Sequence, residues 1–232
     1  MDARPSKSAP PRRASAPRNP ERTRAAILNA AIAEFTSKGL SGARIDRIAK
    51  RARVNKRMIY YYFGDKERLY ISVLEEIYTA IRTAEIGLNL TDRNPTDGMR
   101  ELIEFTWHYF IDHPEFLSLL ATENFNRARY LKNSRRIREL HSPLIGMISD
   151  LLKRGANQKI FRPGVDPVEL YISIAALGFF YLSNRYTLSI IFSRDLTDPE
   201  QLSARGQHIV EVILDFLAPR PEGNPRPASI QP

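Results

Sequence analysis

Apolar residues recur at helical spacing along most of this chain, and strand-like alternation is not its pattern. Ile27, Ala31 and Phe35, with Leu28 and Ile32 beside them, mark one face of a first helix. Asn19-Pro20-Glu21 is its start signal and Gly39 its expected end. Ile45, Ile48, Ala49 and Ala52 repeat the spacing over a shorter second helix. A third short helix ends in Tyr60, Tyr61, Tyr62 and Phe63. From Asp65 to about Leu88, the positions Leu69, Val73, Leu74, Ile77 and Ile81 predict one longer helix. Asn94-Pro95 opens another over about 95–112, and His113-Pro114 breaks it and begins the next, with Phe116, Leu117 and Leu120. Residues 126–141 are basic and weakly apolar, and predict a short exposed helix with connections. Pro143 opens a helix ending near Gly155, and two long helices, from Asp166-Pro167 and Asp198-Pro199, close the pattern. The expected fold class is all-α, with about nine helices.

Residues 44–68 organise the rest. Arg53 and Val54 form a tight turn between two helices, and Asn55 is the expected N-cap of the second. Val54 and Ile59 stand at the spacing of a hydrophobic staple. Asp65 caps the following helix, with Glu67 in its first turn. On the outer face of the second motif helix, Lys56 and Arg57 lie in the first turn, and Tyr60 and Tyr61 follow one turn later. A helix entering a major groove by its N-terminus presents that turn to base edges, where Lys and Arg donate to guanine. The simpler reading is a solvated basic face on a helical hairpin.

Charge sharpens the choice. Residues 1–70 hold 17 of the 35 Lys and Arg but only 6 of the 26 Asp and Glu, a net +11, whereas residues 71–232 carry −2. A basic end on a near-neutral body is the footprint of nucleic-acid binding. A membrane-surface segment would need a long apolar face beside the charges, which these short helices lack. Residues 1–18 are rich in Pro, Ser, Ala and Arg, with little to bury. They read as a loose tail, or as a minor-groove arm through Arg12, Arg13 and Arg18. Residues 219–232 return to a similar composition. There are no cysteines, which excludes disulfides and thiolate chemistry and fits a cytoplasmic protein. No apolar run is long enough to span a bilayer, so no membrane partner is expected.

The string Ile45, Ile48, Ala49, Ala52, Val54, Ile59, Tyr60, Tyr61, Tyr62, Phe63, Asp65, Lys66 and Glu67 resembles the helix-turn-helix of the TetR/AcrR family of bacterial transcription regulators. The match covers about residues 22–80. Arg53 replaces the usual turn glycine, so positive φ is expected at a residue with a side chain. Ala43 and Arg44 replace small hydroxyl residues, which leaves a charged phosphate contact from Arg44 instead. The resemblance implies a three-helix DNA-binding domain over 19–65 and a helical ligand-binding and dimerisation domain over 66–218. It implies a ligand-responsive transcriptional regulator, most often a repressor, acting as a homodimer through the last two helices on a near-palindromic double-stranded operator. Lys56, Arg57 and Tyr61 are then the expected base readers, with Met58 against a thymine methyl. Arg44, Tyr60 and Lys66 are expected at phosphates, and Asn55 lies in the same interface.

The effector-binding half lacks a motif. Trp107, Phe110, Phe125, Tyr171 and Phe179 are bulky residues on helices expected to converge, and suggest a pocket for a small, largely apolar effector. Plain core packing is the simpler reading of each. No nucleophile elbow, P-loop, zinc-protease or dinucleotide motif occurs, and the four histidines are scattered, so no enzyme, cofactor or metal is expected. Two alternatives remain. One is a non-specific DNA-binding protein; the other is a helical small-molecule-binding protein or enzyme whose basic end is incidental.

Overall fold

The computed structural model describes residues 19–140 and 142–219. The expected arm residues Arg12, Arg13 and Arg18, together with His141 and the tail from 220, lie outside them. Asn19 caps the first helix, accepting from the Glu21 and Arg22 amides at 3.0 and 3.4 Å, and Pro20 takes the first helical position. The helix, α1, spans Pro20–Gly42, but Gly39 interrupts it at φ 62°. The expected end is therefore a break. A further turn follows, because Ala43 N–H reaches back to the Gly39 carbonyl and Leu40 is buried.

α2 spans Ile45–Ala52 and α3 Lys56–Phe63. Arg53 between them adopts φ 54° and ψ 40°, the left-handed turn conformation, as expected from its place. Its amide and that of Val54 return to the end of α2, which offsets the strain of a non-glycine residue there. Ile48 and Ile59 are fully buried beneath the two helices, against Ile27, Ala31 and Phe35 of α1. α4 spans Lys66–Ile86 and stops two residues short of the expected Leu88, where Gly87 closes the helix. Its cap is Asp65, which accepts from the Arg68 amide at 2.8 Å.

α5 covers Pro95–Asp112, α6 Pro114–Phe125, α7 Arg135–Leu140, α8 Ser142–Asn157, α9 Pro167–Ile191 and α10 Pro199–Leu217. Among the described residues these make ten α-helices, the short α7 falling within the 126–141 stretch, and two brief 3-10 turns. The pairs Asn19-Pro20, Asn94-Pro95, Asp166-Pro167 and Asp198-Pro199 all form the same N-terminus, a polar cap followed by proline at the first helical position.

α5 is the central helix of the body, packed against α6, α8, α9 and α10. Its large rings need close helix approach, which two glycines provide. A methyl group placed on Gly206 of α10 would sit 2.8 Å from the Trp107 indole, and one on Gly178 of α9 would sit 3.3 Å from Phe110. α4 belongs to both halves of the molecule. Near its start Tyr70 stacks edge-on to Phe35 of α1, ring centres 5.1 Å apart. Near its end Tyr78, Ile81, Arg82 and Glu85 are buried in the body. A second tie runs through α6, whose Ser118 hydroxyl donates to the Thr36 carbonyl of α1 at 3.1 Å.

Candidate nucleic-acid interface and body interior

The outer face of α3 is built on apolar contacts behind it. Ile59 and Phe63 are buried, which turns Lys56, Arg57, Tyr60 and Tyr61 toward solvent. Tyr61 is 79% exposed. Asn55 accepts from the Arg57 amide at 2.9 Å, so its side chain holds the helix start. Met58 is half-buried against the core. Gly64 N–H closes the helix on the Tyr60 carbonyl at 2.8 Å.

Three of the expected contact cations have internal partners. Lys56 Nζ lies 2.8 Å from Asp46 Oδ1 on α2. The hydrogen bond and charge of each hold the Asp46 carboxyl below its ordinary range and the Lys56 amine above its own. Lys66 Nζ donates to the Ser41 carbonyl at 3.4 Å and stays half-buried at the start of α4. Arg44 is exposed, 4.0 Å from Asp46. Its amide donates to Glu34, a buried carboxylate of α1 that also faces Arg47 at 3.8 Å. Arg44, Lys56, Arg57, Tyr60, Tyr61 and Lys66 thus come from the cap of α2, from α3 and from the first residue of α4. The Asp46–Lys56 pair was not read from the sequence, because ten positions and a turn separate the partners.

The body differs from its expectation. Trp107 and Phe110 fill the notches at Gly206 and Gly178 and pack as core. Phe179 is half-buried against the same core. Phe125 is a correction: at the C-terminal end of α6 it is 89% exposed, and it shares no interior with the other four. It is the last residue of α6, beyond the turn that faces the body. Tyr171 does face inward, but toward charge. Its hydroxyl accepts from Arg82 Nη2 at 2.8 Å, and its ring lies 5.3 Å from the guanidinium.

Arg82 in turn meets Glu85 one helical turn along α4, with Nη1 2.8 Å from Oε2. Burial raises the Glu85 carboxyl to about 7, the guanidinium offsetting only part of the effect. Burial also raises the hydroxyls of Tyr78 and Tyr109 to about 12. This cluster had a sequence signal. Leu74, Tyr78, Ile81, Arg82 and Glu85 continue the buried stripe of α4, so the two charges fall at inward positions. A separate cavity of about 410 Å³ lies between α8 and residues 162–165, lined by Lys153, Asn157 and Arg162 among others, and contains none of the five expected pocket residues.

α9 has two apolar faces. Leu170, Ile174, Gly178 and Leu182 are buried at intervals of four. Val168, Ile172, Ala176 and Phe180 form a parallel row that is exposed, and Val212 and Phe216 of α10 are exposed as well. Among the described residues no helix is long and apolar enough to cross a membrane.

Known proteins share both halves of this arrangement. Residues 27–73 match the family model of bacterial regulatory proteins of the tetR family, and residues 95–213 match a tetracyclin repressor-like C-terminal domain. The HTH-type transcriptional repressor NicS of Pseudomonas putida is 42% identical over 180 residues, which cover 78% of this chain and 85% of that protein. The HTH-type transcriptional regulator RutR of Escherichia coli is 27% identical over 198 residues, covering 84% and 90%. Among solved structures, the regulator SCO4942 of Streptomyces coelicolor superposes with a TM-score of 0.63 at 27% identity, over 86% of this chain and 99% of that one. With a helix-turn-helix at its basic end and a helical body behind it, the chain belongs to the TetR family of DNA-binding transcriptional regulators, which are not enzymes.

Proposed function

We propose that this regulator is a repressor that binds a near-palindromic operator as a two-fold homodimer and is released by a small-molecule effector in the body. The observation that carries the reading is the first turn of α3, where Lys56 and Arg57 project to solvent from a capped helix with a buried back. Lys56, Arg57 and Tyr61 meet base edges, with Met58 behind them, and Arg44, Tyr60 and Lys66 hold phosphates. Asn55 sets the start of the helix that all of them depend on. On binding, Lys56 exchanges Asp46 for DNA. That exchange discourages contact where no good acceptor is offered.

The exposed row on α9 and the exposed residues of α10 support pairing with a second copy in a four-helix bundle, an isologous contact that yields a two-fold dimer. Two copies of α3 then enter major grooves about 34–36 Å apart, or a multiple of that repeat.

Release operates through α4, which touches both Phe35 in the head and the buried cluster in the body, and through the Ser118–Thr36 tie. An effector changes DNA affinity only if it binds the two head spacings unequally. Competition between the DNA upstream of this protein's own gene and a scrambled duplex, at physiological salt, tests the reading. A preference of about 10³-fold or more is expected. Equal, weak binding to both would favour a non-specific role.

A further inference from the structure

Two opposite charges on α4 are shut inside the body with much of their hydrogen-bonding capacity unused. Arg82 and Glu85 are 2% and 1% exposed. Between them, one conventional hydrogen bond is made, from Arg82 Nη2 to Tyr171. Arg82 Nε and Nη1 and both Glu85 carboxylate oxygens have none, since the 2.8 Å ion contact lacks hydrogen-bond alignment. A buried ion pair with so few partners is a poor source of stability, and well-packed apolar residues would serve the fold as well or better. Such groups are more at home where something else completes them.

The surroundings indicate what that is. Tyr78 and Phe116 lie 5.4 Å apart, Tyr109 and Phe116 6.2 Å, and the Tyr171 ring covers the guanidinium. Aromatic walls with a few converging polar groups suit a small flat molecule. The guanidinium fork matches a carboxylate. A phosphate dianion would leave one negative charge uncompensated there even with Glu85 protonated. Burial already pushes the Glu85 carboxyl up to about 7. On taking a proton, Glu85 releases Arg82 to an incoming carboxylate and keeps the buried site neutral.

We propose that Arg82, Glu85 and Tyr171 are the polar anchor for a small planar carboxylic acid, its carboxylate on Arg82 and an N–H or O–H of the ligand on Glu85. The proposal rests on the reading of the body as the effector-binding half, and replaces the largely apolar effector with an acid. The ligand would bridge α4 and α9, and so act on the helix that enters the head.

Thermal-shift and calorimetric titration of the full-length protein test it, with benzoate and 4-hydroxybenzoate as probes and benzamide as the uncharged match for benzoate. The acids should raise Tm saturably, with benzamide at least about tenfold weaker for want of the ionic pairing. Arg82→Met should abolish the acid effect. Tyr171→Phe should weaken the acids and leave benzamide unchanged. Equal action of benzoate and benzamide, no saturable effect of either acid, or an undiminished acid effect in Arg82→Met would overturn the anchor. The acid–amide contrast on the unaltered protein decides even if Arg82→Met does not fold. DNA release, measured separately, distinguishes the two claims. Acid binding that leaves DNA affinity unchanged would sink effector-controlled release while the anchor stands. Release by a neutral apolar compound, without acid binding, would sink the anchor alone.

Discussion

α3 and α9 both leave aromatic rings in water, and their surroundings differ. On α3, Tyr60 and Tyr61 stand beside Lys56 and Arg57 above a buried Ile59 and Phe63. On α9, Ile172 and Phe180 stand beside Ala176 and Val168 in an unbroken apolar row. Inside the protein the contrast reverses. The core around Ile27, Phe35, Ile48 and Ile59 is apolar, with Glu34 at its edge facing the exposed Arg47, whereas the body buries Arg82 against Glu85 as a closed pair. Charge outside and apolar residues inside suit a polyanionic partner. Apolar residues outside suit a second copy, and charge inside suits a small polar ligand. A surface row of this size and a buried pair this poorly bonded both cost stability, so each is informative where an exposed lysine alone is not.

The largest test of the contrast is to place charge in the α9 row. Phe180→Asp lies on an exposed position and should leave the monomer folded while separating the proposed dimer, as sedimentation would show. Loss of the linked second head should lower operator affinity by about 10²–10⁴-fold. An unchanged dimer would remove α9 from the interface.

Next comes the interior. The raised carboxyl of Glu85 means that the unfolded chain ionises first as pH rises. The contribution of this group to stability is therefore fully present below about 4.5 and is lost as pH climbs to about 7. The loss from this group is roughly 3 kcal/mol. Urea midpoints across that range should show the fall in the native protein, and Glu85→Gln should remove that share of it. Parallel curves for the two proteins would mean that the carboxyl is not held up by burial.

On α3, Arg57→Ala should cost about 1–3 kcal/mol of operator binding and relax preference at the base it meets. A uniform loss across all sequences would reassign Arg57 to phosphate. The smallest effect is expected at Asp46. Asp46→Asn releases Lys56, and should tighten binding to scrambled DNA by a few-fold while narrowing the preference for the operator. Unchanged affinity for both would mean that the 2.8 Å pair does not hold Lys56 back.

Local signals carried much of this molecule. The cap-and-proline pairs opened four helices where they stood, and Arg53 took the positive φ that its place in the turn demands. The buried stripe of α9 and its exposed opposite were both present in one apolar run, and only packing shows which face is which. Phe125 misled because size and hydrophobicity report a preference for burial, and a residue at a helix end escapes the face its neighbours share. Arg82 and Glu85 were passed over because charged residues are ordinarily solvated, although their helical positions pointed inward. The Asp46–Lys56 pair and the glycine notches beneath Trp107 and Phe110 depend on neighbours distant in sequence, so spacing rules do not reach them.

The most direct test of the central claim is a selection of bound sequences from random duplexes by the full-length protein, followed by footprinting of the winners. A two-fold dimer should select a near-palindrome with two protected half-sites whose centres are about 10–10.5 base pairs apart, or a multiple of that. A single unpaired half-site, or no enriched sequence at all, would contradict it.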